Sequence, residues 1–332
     1  MRNKFLNRSS VRALGGLALL AGVVAAPSLA SATVYTGTLY YTNFTGGQNV
    51  NKVGYNYDDS ITSFTLGAAT NVASTNGADG IIFAPNGNLL VGGQGSGNVY
   101  EVNPTNGALL NTQYTGTDSY HLSLDPSGNT VYTSAFGGRL NKVAIPIGSG
   151  STFTNISGSE GGLTQVAFAP NGNVFYVNGN PNGFGNLGLI NINTGVTTRI
   201  YTGVQPAHGL IYDPFTGLMT MFGAGFVGTM DQNGGNLKIY DVPNIGDFDQ
   251  GAVDGQGHAL IAGSSAVTFI DYRTTGDITS ALNFTSINGG FNGIDDVAPL
   301  VGLGSQHVPE PASLALFGLG VLGLGFARRR KR

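Results

Sequence analysis

One phrase recurs through this chain at a spacing that few folds accommodate. It reads Asp79-Gly80-Ile81-Ile82-Phe83-Ala84-Pro85-Asn86-Gly87 and returns as Tyr120-His121-Leu122-Ser123-Leu124-Asp125-Pro126-Ser127-Gly128. A third copy begins at Thr164-Gln165, and a fourth runs from His208 to Pro214 and closes with Thr216-Gly217. Weaker copies begin at Asp249 and Asn292. The prolines at 85, 126, 170 and 214 are spaced 41, 44 and 44 residues apart. A period of that length marks one supersecondary unit, which buries its faces only by stacking against neighbours.

The content of a unit follows from its residue types. An apolar run ends in Pro-Asn-Gly or an equivalent, a tight turn whose Gly or Asn takes positive φ. A second strand is expected at 88–92, 130–134, 174–178 and 259–263, and a third at 98–102, 139–144, 187–192, 236–240 and 266–272. Short outer strands are expected at 109–114 and 197–201. Glycine is abundant (54 residues), and short Val, Ile, Leu, Tyr and Phe runs alternate with turn formers without a helical stripe. Four strands in about 42 residues make one blade of a β-propeller.

Counting blades predicts a ring. Complete blades start at 79, 120, 164, 208 and 249. Residues 34–66 supply three strands (38–43, 50–55 and 61–66) with no inner strand before them, and the copy at 292 supplies an inner strand with nothing after it. Joined, the two fragments make a sixth blade and remove the open sheet edge. The expected fold is all-β, a propeller of six four-stranded blades closed by first and last strands; further strands hidden in 34–66 would make it seven.

The chain ends read as addresses. Arg2, Lys4, Arg8 and Arg12 precede an apolar stretch at 13–26 and the small-residue sequence Ala30-Ser31-Ala32, the pattern of a signal peptide over 1–32. The propeller is assigned to 33–303 and a tail to 304–332. In the tail, Pro309-Glu310-Pro311 holds the chain extended. The uncharged run 312–327 follows, and as a helix of about 1.5 Å per residue it spans roughly 24 Å, short of a hydrocarbon core of about 30 Å. Arg328, Arg329, Arg330, Lys331 and Arg332 then form a basic stop, held on the cytoplasmic side. This tail resembles the PEP-CTERM sorting signal of bacterial envelope proteins. The resemblance implies an exosortase-type membrane protease as partner and attachment through the apolar helix before processing. It also implies a destination in the envelope, outer surface or extracellular matrix of a Gram-negative bacterium, with exopolysaccharide or envelope proteins as further partners.

Removing these ends changes the charge. Only six Lys and Arg lie in 33–303, against 17 Asp and Glu, a net of −11. Such a body has no basic footprint for nucleic acid. Cysteine is absent, so no disulfide, thiol nucleophile or thiolate metal site is available.

The blade phrases resemble the broad propeller superfamily of NHL-repeat, gluconolactonase-like and virginiamycin-lyase-like proteins. In a propeller the inner strands begin at the central channel. The candidate channel residues are Asp79, His121, Gln165, His208, Asp249 and Asn292, with Tyr120, Thr164 and Gln250 beside them. Polar groups converging on an axis suit Ca²⁺, another divalent cation or a small polar ligand. Asp58-Asp59 and Asp295-Asp296 are acidic pairs of the same potential. The gluconolactonase-like resemblance implies a channel metal with Glu, Asn and Asp ligands, yet the only glutamates of the body, Glu101 and Glu160, fall at no inner-strand start. Lyase-like relatives imply His121 or His208 as base. No hydrolase elbow, metalloprotease, phosphate-loop or dinucleotide motif is present. The expected function is a non-catalytic binding module for glycan or protein with no required cofactor, the alternative being a metal-dependent hydrolase or lyase working in the channel.

Overall fold

The computed structural model describes residues 34–43, 49–135, 139–156, 160–180, 183–242, 248–300 and 303. The expected signal peptide, the Pro309-Glu310-Pro311 motif, the apolar run and the basic stop lie outside these residues. Among the described residues every regular element is a strand, and no helix is long and apolar enough to cross a membrane.

The described residues form 24 strands. The chain starts with β1 (Val34–Asn43), β2 (Val50–Asp58) and β3 (Ser63–Ala73). Next come β4 (Ile81–Phe83), β5 (Leu89–Gly93), β6 (Asn98–Val102) and β7 (Leu109–Tyr114), then β8 (Leu122–Leu124), β9 (Thr130–Ala135), β10 (Arg139–Ala144) and β11 (Phe153–Ile156). They continue as β12 (Leu163–Phe168), β13 (Val174–Asn180), β14 (Gly183–Ile190) and β15 (Thr197–Val204), and as β16 (Ala207–Asp213), β17 (Leu218–Gly223), β18 (Phe226–Met230) and β19 (Lys238–Asp241). The last are β20 (Phe248–Val253), β21 (His258–Gly263), β22 (Ala266–Asp271), β23 (Phe284–Gly289) and β24 (Ile294–Val297).

They form six antiparallel four-stranded sheets. Five are sequential meanders, and the sixth has the order β24-β1-β2-β3. The strand from the far end of the chain therefore completes the first blade: Tyr41 pairs with Val297, and Ala298 N–H donates to Tyr40 O at 2.9 Å. The ring has six blades and the closure expected from the two fragments.

One strand assignment changes. Residues 236–240 were expected as the third strand of the blade starting at 208, but that place belongs to β18, and β19 is the outer strand. Ala224-Gly225 makes a two-residue hairpin with Gly225 at φ 75°, and Gly223 pairs with Phe226 across it. So tight a turn leaves little polar sequence to mark the break between β17 and β18.

Packing between blades supplies the core. Phe64 of the first blade stacks on Phe269 of the last complete one, with ring centroids 4.1 Å apart and planes 2° apart. Tyr57 sits beside Phe269 at 4.8 Å, and both are fully buried. Each such side chain contributes about 1.5–3 kcal/mol by burial. These contacts make each blade depend on its neighbour, so the closing strand stabilises the whole ring.

Candidate functional site

Polar residues reach the channel by a backbone device repeated in each blade. At the start of every inner strand, two residues face one on the second strand. Asp79 N–H donates to Gly92 O, and Gly92 N–H donates to Gly80 O, both at 2.8 Å. Tyr120 N–H donates to Ser134 O at 2.9 Å, and Ser134 N–H to His121 O at 3.2 Å. In β12 the register shifts between Leu163 and Gln165, in β16 between Ala207 and Gly209, and in β20 between Phe248 and Gly251. In β24 three residue steps, from Ile294 to Val297, span two on β1, from Asn43 to Tyr41. A bulge of this kind leaves an extra residue outside the ladder and re-aims its side chain.

Three of the re-aimed groups meet. Asp79, His121 and Asp296 each offer a ligand atom, and these atoms lie within 4.8 Å of one another. All three residues are buried, and they come from three consecutive blades. His121 Nε2 is 3.5 Å from Asp79 Oδ1. Thr42 knits the cluster to the closing strand: its Oγ1 donates to Asp79 O at 2.5 Å and accepts from Asp296 N–H at 3.1 Å. Asp296 Oδ1 accepts the backbone N–H of Gln250 at 2.9 Å.

The remaining candidates fare differently. His208 is half-buried, and its ring lies 6.0 Å from that of His121, so it borders the cluster. Gln165 is buried and bridges blades: its Nε2 donates to Leu122 O at 3.1 Å, and its Oε1 accepts Leu210 N–H at 2.6 Å. Thr164 does similar work, its Oγ1 donating to Ala207 O at 2.9 Å. The side chain of Asp249 lies outside the description; its neighbour Gln250 is buried at the channel. Asn292 is exposed ahead of β24, and its carbonyl accepts from Asn43 Nδ2 at 2.6 Å. Asp296, legible beforehand only as half of an acidic pair, is the β24 residue in the cluster. Aligning the last phrase by its polar-Gly start, Asn292-Gly293 beside Asp79-Gly80, points to Asn292, because a bulge leaves no trace in residue types.

Electrostatics separate the cluster from other acids. The Tyr120 phenol is pushed up to about 12, first by burial and then by the Asp118 and Asp79 carboxylates. Both glutamates are occupied elsewhere. Glu101 accepts from Asn86, Asn88 and Asn111, and Glu160 accepts from Tyr176 at 2.5 Å, from Asn186 and from Arg199 at 2.6 Å. Of the other acidic pair, Asp58 caps Ser60 through its N–H at 3.0 Å, and Asp59 lies 3.7 Å from Arg273.

Beyond the bulges the channel turns apolar. The inner-strand ends line a chamber of about 570 Å³ whose walls include Phe83, Leu124, Phe168, Tyr212 and Val297, with Gln165 and Gln250 beside them and, among the described residues, no charged side chain.

Comparison with known proteins decides the tail. Residues 307–331 match the family described as the PEP-CTERM protein-sorting motif. The chain carries a PEP-CTERM sorting motif. A PEP-CTERM chain is an exported protein of the cell envelope that is processed by an exosortase, a membrane protein. No curated protein matches the chain in sequence. Its propeller is similar in fold to a chain of a nidogen/laminin complex, with TM-score 0.61, 10% identity and coverage of 80% of this chain and 98% of that one. It is also similar to hydrazine synthase of Kuenenia stuttgartiensis, with TM-score 0.52, 15% identity and coverage of 79% and 86%. A streptogramin B lyase gives TM-score 0.50, 12% identity and coverage of 78% and 88%. At these identities the likeness is one of fold.

Proposed function

We propose that the PEP-CTERM propeller is a non-catalytic binding module of the cell envelope, for glycan or protein, with a divalent cation held in its channel by Asp79, His121 and Asp296. The convergence of these three buried groups from three consecutive blades carries the reading. Two carboxylates and an imidazole are a donor set for Zn²⁺ or Mn²⁺ in preference to Ca²⁺, which takes six to eight oxygens. Two ligands about 2.0–2.1 Å from a tetrahedral ion stand roughly 3.4 Å apart, close to the 3.5 Å between His121 Nε2 and Asp79 Oδ1. The ion would neutralise buried negative charge and tie the closing blade to its neighbours, keeping the ring's outer surface rigid for recognition.

The test is thermal unfolding of the full chain with Zn²⁺, Mn²⁺, Ca²⁺ or chelator, beside glycan-array binding. A cation at a hundredfold over its Kd adds about 2.7 kcal/mol. The gain is expected for Zn²⁺ or Mn²⁺ and absent in Asp296→Asn. Equal stability in all four conditions would reject the cation, and a surface that retains no envelope glycan or protein would reject the module.

The half-buried His208 beside His121 favours one other reading, a hydrolase or lyase with His208 as base. Turnover of a lactone or glycan that is lost in His208→Ala, with folding and cation binding retained, would establish it in place of the module.

A further inference from the structure

The apolar chamber is a second site beside the cation cluster, to which it is tied by the Gln250 N–H that donates to Asp296 Oδ1 at 2.9 Å. Its wall repeats the sequence period. Phe83, Leu124, Phe168, Tyr212 and Val297 come from five blades, and each stands two residues before a proline of the recurrent phrase. Phe83, Leu124, Phe168 and Tyr212 are only half-buried. A ring of large side chains, apolar but for the Tyr212 hydroxyl, thus lines a space of about 570 Å³. That volume falls inside the range of about 300–1,000 Å³ typical of small-molecule sites.

Ser123, Gln165, Tyr212 and Gln250 bring polar groups to the wall, and Gln250 stands apart. Gln165 and Gln250 both line the chamber, but the amide of Gln165 is spent on the backbones of Leu122 and Leu210. Gln250 is 4% exposed, and its Oε1 is buried with no hydrogen-bond partner among the described residues. A buried acceptor without a donor is costly, so a ligand that donates to it gains both affinity and orientation. Among the described residues the lining carries no charge, and the body's net charge of −11 disfavours an anion.

We propose that the chamber binds a compact, uncharged organic molecule with an apolar body and one N–H or O–H group, which donates to Gln250 Oε1. Its size selects a small molecule over a folded protein element, and its missing charge partners select neutral over ionised ligands.

The full-length chain is titrated with N-phenyl-1-naphthylamine, with its N-methylated analogue and with the anionic 8-anilino-1-naphthalenesulfonate, followed by fluorescence. The proposal expects saturable binding of one neutral amine per chain and about tenfold weaker binding once its donor is methylated. The sulfonate should bind more weakly still. Gln250→Leu should reduce the amine to the affinity of its methylated analogue, and Leu124→Arg should abolish binding. Circular dichroism checks folding; if Gln250→Leu does not fold, the probe comparison and Leu124→Arg decide. Equal affinity for the three probes, or affinity indifferent to Leu124→Arg, overturns the proposal. Binding that emerges only after removal of residues 304–332 also overturns it, because the apolar stretch 312–327 of the chain itself would then be the occupant.

Discussion

His121 Nε2 stands 3.5 Å from Asp79 Oδ1, and the two residues belong to neighbouring blades. What lets them approach is the glycine between Asp79 and β4. A Cβ on Gly80 would lie 2.6 Å from Tyr120 O and 2.8 Å from both His121 Cα and Leu122 N, all backbone of the next blade.

Gly80→Ala therefore wedges the two blades apart at the cluster. Overpacking against backbone that cannot swing away costs about 1–3 kcal/mol or more. Urea unfolding should show this loss, together with weaker cation stabilisation. An unchanged midpoint would mean that the blades slide freely at this point.

A double-mutant cycle on Asp79→Asn and His121→Ala measures their coupling. Contacting buried residues couple by about 0.5–3 kcal/mol. If a cation joins them, the coupling falls when chelator is added; if the pair acts directly, it stays constant.

Thr42→Val removes a hydroxyl that serves Asp79 O and Asp296 N–H together. Unfolding should report a loss of about 1–3 kcal/mol for the two buried backbone groups left behind. Because the change is on β1 and its partners are on other segments of the ring, it should also speed proteolysis at the closure.

Asp271 provides the pH dependence. Burial alone would raise its carboxyl, but hydrogen bonds from Arg273 and Tyr57 outweigh burial and hold it below the ordinary carboxylate value. Arg273 Nη2 donates at 2.6 Å to Asp271 Oδ2 and at 3.1 Å to the Tyr57 hydroxyl, which itself donates to Asp271. A folded value below the unfolded one means that the stabilisation is fully present above about pH 4 and is lost as pH falls through the folded value. Asp271→Asn should thus be less stable than the parent at pH 7, with the gap closing in acid. Denaturant midpoints between pH 7 and pH 3 check the sign; a gap that widens in acid would contradict it.

Much of the architecture is legible in residue order because a blade is a local object. Its strands are joined by short turns, and Pro-Asn-Gly forces the turn at Gly87, where φ is 83°, and at Gly172, where φ is 92°. The closure is legible too, since three strands without an inner partner and one inner strand without followers have a single economical pairing. The hairpin at Ala224-Gly225 escaped because a two-residue turn carries almost no polar signal.

The structure decided six blades over seven, but the sequence by itself determined the closed propeller of four-stranded blades, its closing strand, its acidic body and the PEP-CTERM address at 307–331. These depend on periodicity, turn chemistry and charge, which are properties of neighbours along the chain. Only the tertiary structure decided which polar residues share the channel. Asp296 reaches Asp79 and His121, while Asn292 remains exposed, because one extra residue in β24 rotates the strand's side chains relative to β1. The apolar chamber has the same origin: Phe83 and Tyr212 are 129 positions apart in the chain and meet only because blades close around an axis.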